Sequence, residues 1–203
     1  MMTNNNTTRQ RILNAAIQVF ANKGYHDTRV DEIVEASETS KGAVYFHFPS
    51  KQEIFLGLVD EFAELLQKQM EQAIHAEQGG VNQVDAALQS CLGTFGKYQK
   101  LAKIFLVQAV GLGTVFEQKR QEIHNRFITL VKKYLDEAVA DGDIPAIDTE
   151  VAAYAWMGAI NEVVIRWVYT GEPSPERSLP VLRVILLRSI GVSDERLQKV
   201  NQR

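Results

Sequence analysis

Apolar residues in this chain recur at intervals of three and four, in runs punctuated by glycine and proline, and no stretch alternates as a strand would. That spacing lines one face of a helix, so the chain is predicted to be all-α. Thr8 is read as the cap of a first helix reaching about Lys23, with Ile12, Leu13, Ala16, Ile17 and Phe20 inward and Gly24 as its left-handed stop. Thr28-Arg-Val-Asp31 has the form of a capping box, and Ser50-Lys-Gln-Glu53, after Pro49, has it more cleanly. A long helix follows from Ser50 to roughly Glu77, about 40 Å at 1.5 Å per residue. Further helices are expected over Val81 to Lys97, Lys100 to Val110, Val115 to Ala140, Asp148 to Tyr169 and Ser178 to Ile190. Pro180 is acceptable in the last only within its first turn. Gly191 to Arg203 is polar and expected to fray.

Two parts are expected: three short helices and the start of the fourth (residues 6–66), then a helical bundle (67–203). With 203 residues, 45% of them hydrophobic, the chain can hold both cores. The single cysteine, Cys91, cannot form an intrachain disulfide, and Met1 to Thr8 holds no apolar leader, so a cytoplasmic location is expected. Val151 to Ile160 is apolar or glycine throughout, but Asn161, Glu162 and Arg166 follow, which suits a buried helix better than a membrane span.

Arg29 to Phe48 reads as two short helices joined by a tight turn. Val30, Ile33, Val34 and Ala36 carry the first; Ala43, Val44 and Phe46 carry the second. Such a helix-turn-helix presents the N-terminal end of its second helix, here Thr39 to Ala43, to a DNA major groove. Bulk charge does not advertise this. The net charge is −3, and up to Phe55 Arg9, Arg11, Lys23, Arg29, Lys41 and Lys51 are balanced by Asp27, Asp31, Glu32, Glu35, Glu38 and Glu53. Placement, not excess charge, has to make the site.

Phe20-Ala-Asn-Lys-Gly-Tyr25, Thr28, Ile33, Ser40, Gly42, Tyr45-Phe-His-Phe48 and Ser50-Lys51 together resemble the TetR family of bacterial repressors over about residues 6–66. Gly142-Asp-Ile144, Asp148 and Ala152-Ala153 resemble its regulatory domain more loosely. The resemblance implies a homodimeric one-component repressor that leaves its operator when a small molecule enters the C-terminal bundle. It assigns Thr28, Tyr45, His47 and Lys51 to phosphates, with Arg29 beside them, and Thr39, Ser40, Lys41, Gly42 and Ala43 to the groove. Lys41 could donate to guanine and Ala43 could touch a thymine methyl; Gly42, without a side chain, lets backbone approach DNA. The chain departs from the family in the turn, Ser37-Glu38-Thr39, where Glu38 stands at the place of a left-handed glycine, at a cost of roughly 1–2 kcal/mol.

In the bundle, the resemblance places the dimer interface on the last two long helices. Effector contacts are expected among Phe95, Phe105, Phe127 and Trp156, with Tyr98, Phe116 and Trp167 as further aromatics and Asn161, Glu162 or Arg166 as polar anchors, although most such aromatics serve only as core. An apolar or acyl-type effector fits the lining. Nothing resembles a nucleophile–base pair, a phosphate loop or a dinucleotide fingerprint, and His26, His75 and His124 lack metal-ligand spacing. No catalytic residue, metal, cofactor or membrane partner is therefore expected. A helical small-molecule-binding or adaptor protein with weakened or lost DNA binding remains the alternative.

Overall fold

The computed structural model describes residues 7–108 and 112–201, the last four by backbone alone; Met1 to Asn6, Ala109 to Gly111, Gln202 and Arg203 lie outside the described residues. Every regular element among them is helical. The order is α1 (Thr8–Asp27), α2 (Val30–Ser37), α3 (Lys41–His47), α4 (Lys51–His75), α5 (Gly80–Lys97), α6 (Gln99–Lys103) running into a π-helical turn (Ile104–Gln108), α7 (Thr114–Ala140), α8 (Thr149–Thr170), α9 (Pro175–Ser189) and α10 (Asp194–Asn201). No helix among the described residues is long and apolar enough to cross a membrane.

Several boundaries move for local reasons. Thr7, not Thr8, caps α1 by accepting from the Gln10 amide at 3.3 Å. Thr28 does not cap α2. Its hydroxyl donates to the Gly24 carbonyl at 2.7 Å, so α2 starts one residue later and the Glu32 carboxylate accepts from the Arg29 amide at 2.9 Å. Gly24 (φ 81°) breaks the helical path as expected, with one more turn before Asp27. Ser50 caps α4 through the Glu53 amide at 3.2 Å. Asp148 caps α8 at 3.0 Å and Gly171 closes it.

The end of the chain differs more. Ser174 caps α9 through Arg177 and Pro175 takes the first helical position, so Pro180 sits beyond the first turn. Instead of fraying, the segment after Gly191 forms α10. Val192 and Leu197 are buried, and Arg196 Nη2 meets Asp143 Oδ1 at 2.6 Å. Two apolar anchors and one distant ion pair hold a stretch that is otherwise polar.

The chain divides into two units. The first joins residues up to Glu64 with Gln99–Arg120; the second joins Leu65–Tyr98 with Gln121–Arg203. The division at 64–65 lies near the expected boundary, but 99–120, expected in the bundle, belongs with the N-terminal residues. Helices α4 and α7 each contribute to both units.

In the first unit Ile12, Leu13, Phe20, Ile33, Val44, Ile54, Phe55 and Leu58 are fully buried. Phe55 makes edge contacts with Phe20 and Tyr25, both at 5.2 Å, and Phe116 joins this cluster at 5.3 Å from Tyr25. The 99–120 segment also caps α1: Lys103 Nζ donates to the Ala21 carbonyl at 3.0 Å and Gln108 Nε2 to the Phe20 carbonyl at 2.9 Å. These are carbonyls of the kind that a helix end or kink leaves unpaired.

In the second unit α9 packs on α5 and α8. The buried Asp85 pairs with the half-buried Arg183 at 2.6 Å, and Trp156 Nε1 donates to Ser189 Oγ at 3.2 Å. Gly80 lets α5 start against α7, since a Cβ there would lie 2.5 Å from the Ala138 Cβ.

Candidate nucleic-acid interface

The α2–α3 turn depends on one strained residue and one long-range clamp. Glu38 adopts φ 51°, ψ 40°, the left-handed conformation expected of it, and among the described residues no other non-glycine has positive φ. Its amide donates to the Glu35 carbonyl at 3.1 Å, and the Ser37 and Thr39 hydroxyls lie 2.7 Å apart. From α1, Arg11 Nη2 donates to the Ser37 carbonyl at 2.9 Å and the Glu38 carbonyl at 2.7 Å. Arg11 lies outside the apolar stripe of α1, and its partners are 26 and 27 residues away, beyond any local pattern.

Ser40 begins α3 by accepting from the Ala43 amide at 3.1 Å. Val44 and Phe48, four apart, face inward, and Arg9 lies 5.3 Å from the Phe48 ring centre. Phe46 is not part of that core. Two residues from Val44 turns a helix by about 200°, and Phe46 is 84% exposed. Ser40, Lys41, Gly42, Tyr45 and Phe46 are exposed; Thr39, Ala43 and His47 are half-buried. Lys41 pairs with Asp31 of α2 at 2.8 Å, and that hydrogen bond raises its pKa above the ordinary lysine value.

Gly42 is informative because the protein does not need it. A Cβ there would meet only Ser40 Oγ, at 4.0 Å, so nothing within the chain excludes a side chain from this position.

Two expected phosphate contacts have other work. Thr28 is 2% exposed and its hydroxyl is used on Gly24. Lys51 Nζ donates to the carbonyls of Tyr25 (2.8 Å), His26 (3.1 Å) and Thr28 (2.8 Å), over the Tyr25 ring. An ammonium has three donors, so Lys51 fastens the α1–α2 junction and retains no N–H for a phosphate. Arg29 is exposed.

The expected effector residues divide. Phe95, Phe127 and Trp156 are buried in the second unit, whereas Phe105 belongs to the first, edge-on to Phe62 at 5.6 Å. Asn161 is half-buried, but Glu162 and Arg166 are exposed on α8 and do not serve as inward anchors within this chain. A different arginine turns inward: Arg126 is half-buried, and its Nε and Nη2 are buried without a hydrogen-bond acceptor among the described residues. The available signal was helical register, since Arg126 lies three residues after Ile123 and four before Leu130, within the apolar stripe of α7.

Residues 12–58 match the family described as bacterial regulatory proteins, tetR family. The chain is 24% identical over 159 residues to the fatty acid metabolism regulator protein of Bacillus subtilis (strain 168), covering 78% of this chain and 82% of that one. It is 24% identical over 180 residues to the HTH-type transcriptional regulator SrpR of Pseudomonas putida, covering 88% and 82%. In fold it is similar to the fatty acid degradation regulator FadR from Bacillus halodurans (TM-score 0.85, 20% identity, 94% of this chain and 100% of that one). It is similar also to FadR from Bacillus subtilis in complex with stearoyl-CoA (TM-score 0.80, 21% identity, 89% and 98%).

Proposed function

The chain belongs to the TetR family of transcriptional regulators, and on that footing we propose a one-component repressor, not an enzyme, that binds a near-palindromic operator as a dimer and leaves it when a small, largely apolar effector binds. The observation that carries this is the outer face of α3. Lys41, Gly42, Tyr45 and Phe46 are exposed there, around a glycine for which the fold gives no reason. Close approach of DNA supplies the reason. Lys41 can leave Asp31 for a guanine edge, and Phe46 or Ala43 can meet a thymine methyl. Tyr45, His47 and Arg29 are the candidates for phosphates, which position the protein without reading sequence.

The dimer reading rests on where apolar surface remains. Among the described residues eight large apolar side chains are exposed: Tyr45 and Phe46 on α3, Val115 on α7, and Val151, Tyr154, Tyr169, Val181 and Ile185 on α8 and α9. Clustered exposure of this kind marks interaction surfaces, so α8 and α9 are the candidates to meet a second copy; a dimer on an operator reads successive major grooves about 34–36 Å apart. Such a dimer would work in the cytoplasm, where its operator is.

An acyl-type effector is supported by the fatty-acid regulators among the relatives and by the buried aromatics Phe95, Phe127 and Trp156. Effector and operator can compete only through their different affinities for two shapes of the protein, so each must weaken the other by the same factor. Because α4 and α7 have residues in both units, they are the helical routes for that coupling, beside the Tyr98–Gln99 junction.

Capture of genomic DNA fragments by the purified protein, followed by a salt titration, tests this. A retained fragment with an inverted repeat and a steep loss of affinity with salt is expected. A dimer that retains no fragment even at low salt would end the repressor reading.

A further inference from the structure

Arginines of the second unit commonly meet a carboxylate. Arg183 reaches Asp85 at 2.6 Å, Arg196 reaches Asp143 at 2.6 Å, Arg188 reaches Asp194 at 2.7 Å and Arg177 reaches Glu172 at 3.2 Å. Arg126 does not follow them. Its guanidinium carbon stands 5.9 Å from the Phe127 ring centre, and its Nε and Nη2 are buried with no acceptor among the described residues. A guanidinium stays protonated wherever it is placed. Burying its donors unpaired is costly, and removing that cost requires an acceptor.

The two orphaned atoms are not an arbitrary pair. Nε–H and Nη2–H form one edge of the guanidinium, and the two parallel donors of that edge match the two oxygens of a carboxylate or a phosphate. The ring of Phe127 leaves this edge unused. The neighbouring α7 residues Ile123 and Phe127 are buried and apolar, which suits the hydrocarbon attached to such an anion.

Resting on the reading of the second unit as the effector site, we propose that Arg126 anchors the effector's anionic group, so that the effector is an anion with a long apolar body. The anion takes its two oxygens either from the free carboxylate of a fatty acid or from a phosphate of a coenzyme thioester. Both present the same chemistry to the Nε–Nη2 edge. Arg166, the anchor expected from sequence, is exposed on α8.

The test uses the full-length protein, R126M and R126K, with stearate, stearoyl-CoA and the uncharged stearyl alcohol as probes, measured by titration calorimetry and thermal melting. Wild type is expected to bind at least one of the two anions. R126M should lose that affinity ~10- to 100-fold, the scale of a charge-assisted hydrogen-bonded contact, while binding the alcohol as wild type does. Without ligand, R126M should melt no lower than wild type, because two buried, unpaired donors have been removed. Loss confined to stearate assigns a carboxylate; loss confined to stearoyl-CoA assigns a phosphate. If R126M instead melts lower, recovery of anion binding in R126K upholds the anchor, and recovery of stability alone overturns it. Equal anion affinity in wild type and R126M overturns the anchor while leaving the effector reading intact. Wild type that binds none of the three probes overturns the acyl-effector reading and the anchor with it.

Discussion

Replacing Gly42 with alanine adds one methyl group at the second residue of α3, where its nearest neighbour would be Ser40 Oγ at 4.0 Å. That distance is ordinary contact, so the substitution has no steric cost in the free protein. Alanine restricts the unfolded chain more than glycine and favours a helix by roughly 0.5–1 kcal/mol. For a chain of this size 1 kcal/mol moves the melting temperature by roughly 2–4 °C, so G42A should melt ~1–4 °C higher than wild type. On DNA the sign reverses. A methyl group forced into a close interface costs about 1–3 kcal/mol, or about 5- to 150-fold in affinity at 1.4 kcal/mol per decade. Differential scanning calorimetry gives the first quantity; fluorescence anisotropy on a captured DNA fragment, at one fixed salt concentration, gives the second. Higher stability with unchanged affinity would refute the reasoning, since Gly42 would then not lie at a close approach to DNA. Lower stability would refute the surroundings described for α3.

Glu38→Gly should relieve part of the roughly 1–2 kcal/mol of left-handed strain, offset by the greater freedom of unfolded glycine; a rise of a few degrees in melting temperature and tighter DNA binding are expected, and no change in either would contradict the strain. Lys51→Met leaves three carbonyls without their shared donor and should destabilise the protein by about 1–3 kcal/mol; loss of DNA affinity at unchanged stability in urea unfolding would return Lys51 to the phosphate backbone. Cys91 is buried, which pushes its thiol up to about 12; it should not react with an aromatic disulfide reagent at pH 8 until denaturant is added, and rapid labelling of the folded protein would contradict its burial.

How far the sequence reached depended on the range of each interaction. Helix spans, the αL position of Glu38 and the Ser50 and Asp148 caps were legible because each is decided within a few residues. Thr28 misled for the same reason, since a threonine before an acidic first turn looks like a cap until Gly24 is seen to take its hydroxyl. Arg11, Lys51 and α10 were out of reach, because their partners are the Ser37 and Glu38 carbonyls, the Tyr25–Thr28 carbonyls and Asp143. Phe46 and Arg126 turn on helix phase: an apolar residue proved to lie outside the core and a charged one to turn inward. Composition argued for neither.

The first unit is built from two separate pieces of chain, and this restricts how the protein can recombine. A single crossover near residue 64 would carry away α1 to α3 without Lys103, Gln108 and Phe116, leaving the Phe20 and Ala21 carbonyls without their donors and the Tyr25–Phe55 pair without its third ring. A working hybrid with a foreign reading head therefore needs two exchanges, the second spanning residues 99–120. Gene fusion at one junction, the simplest route by which such regulators could acquire new operators, is closed to this chain unless the donor brings residues that fit the same gap.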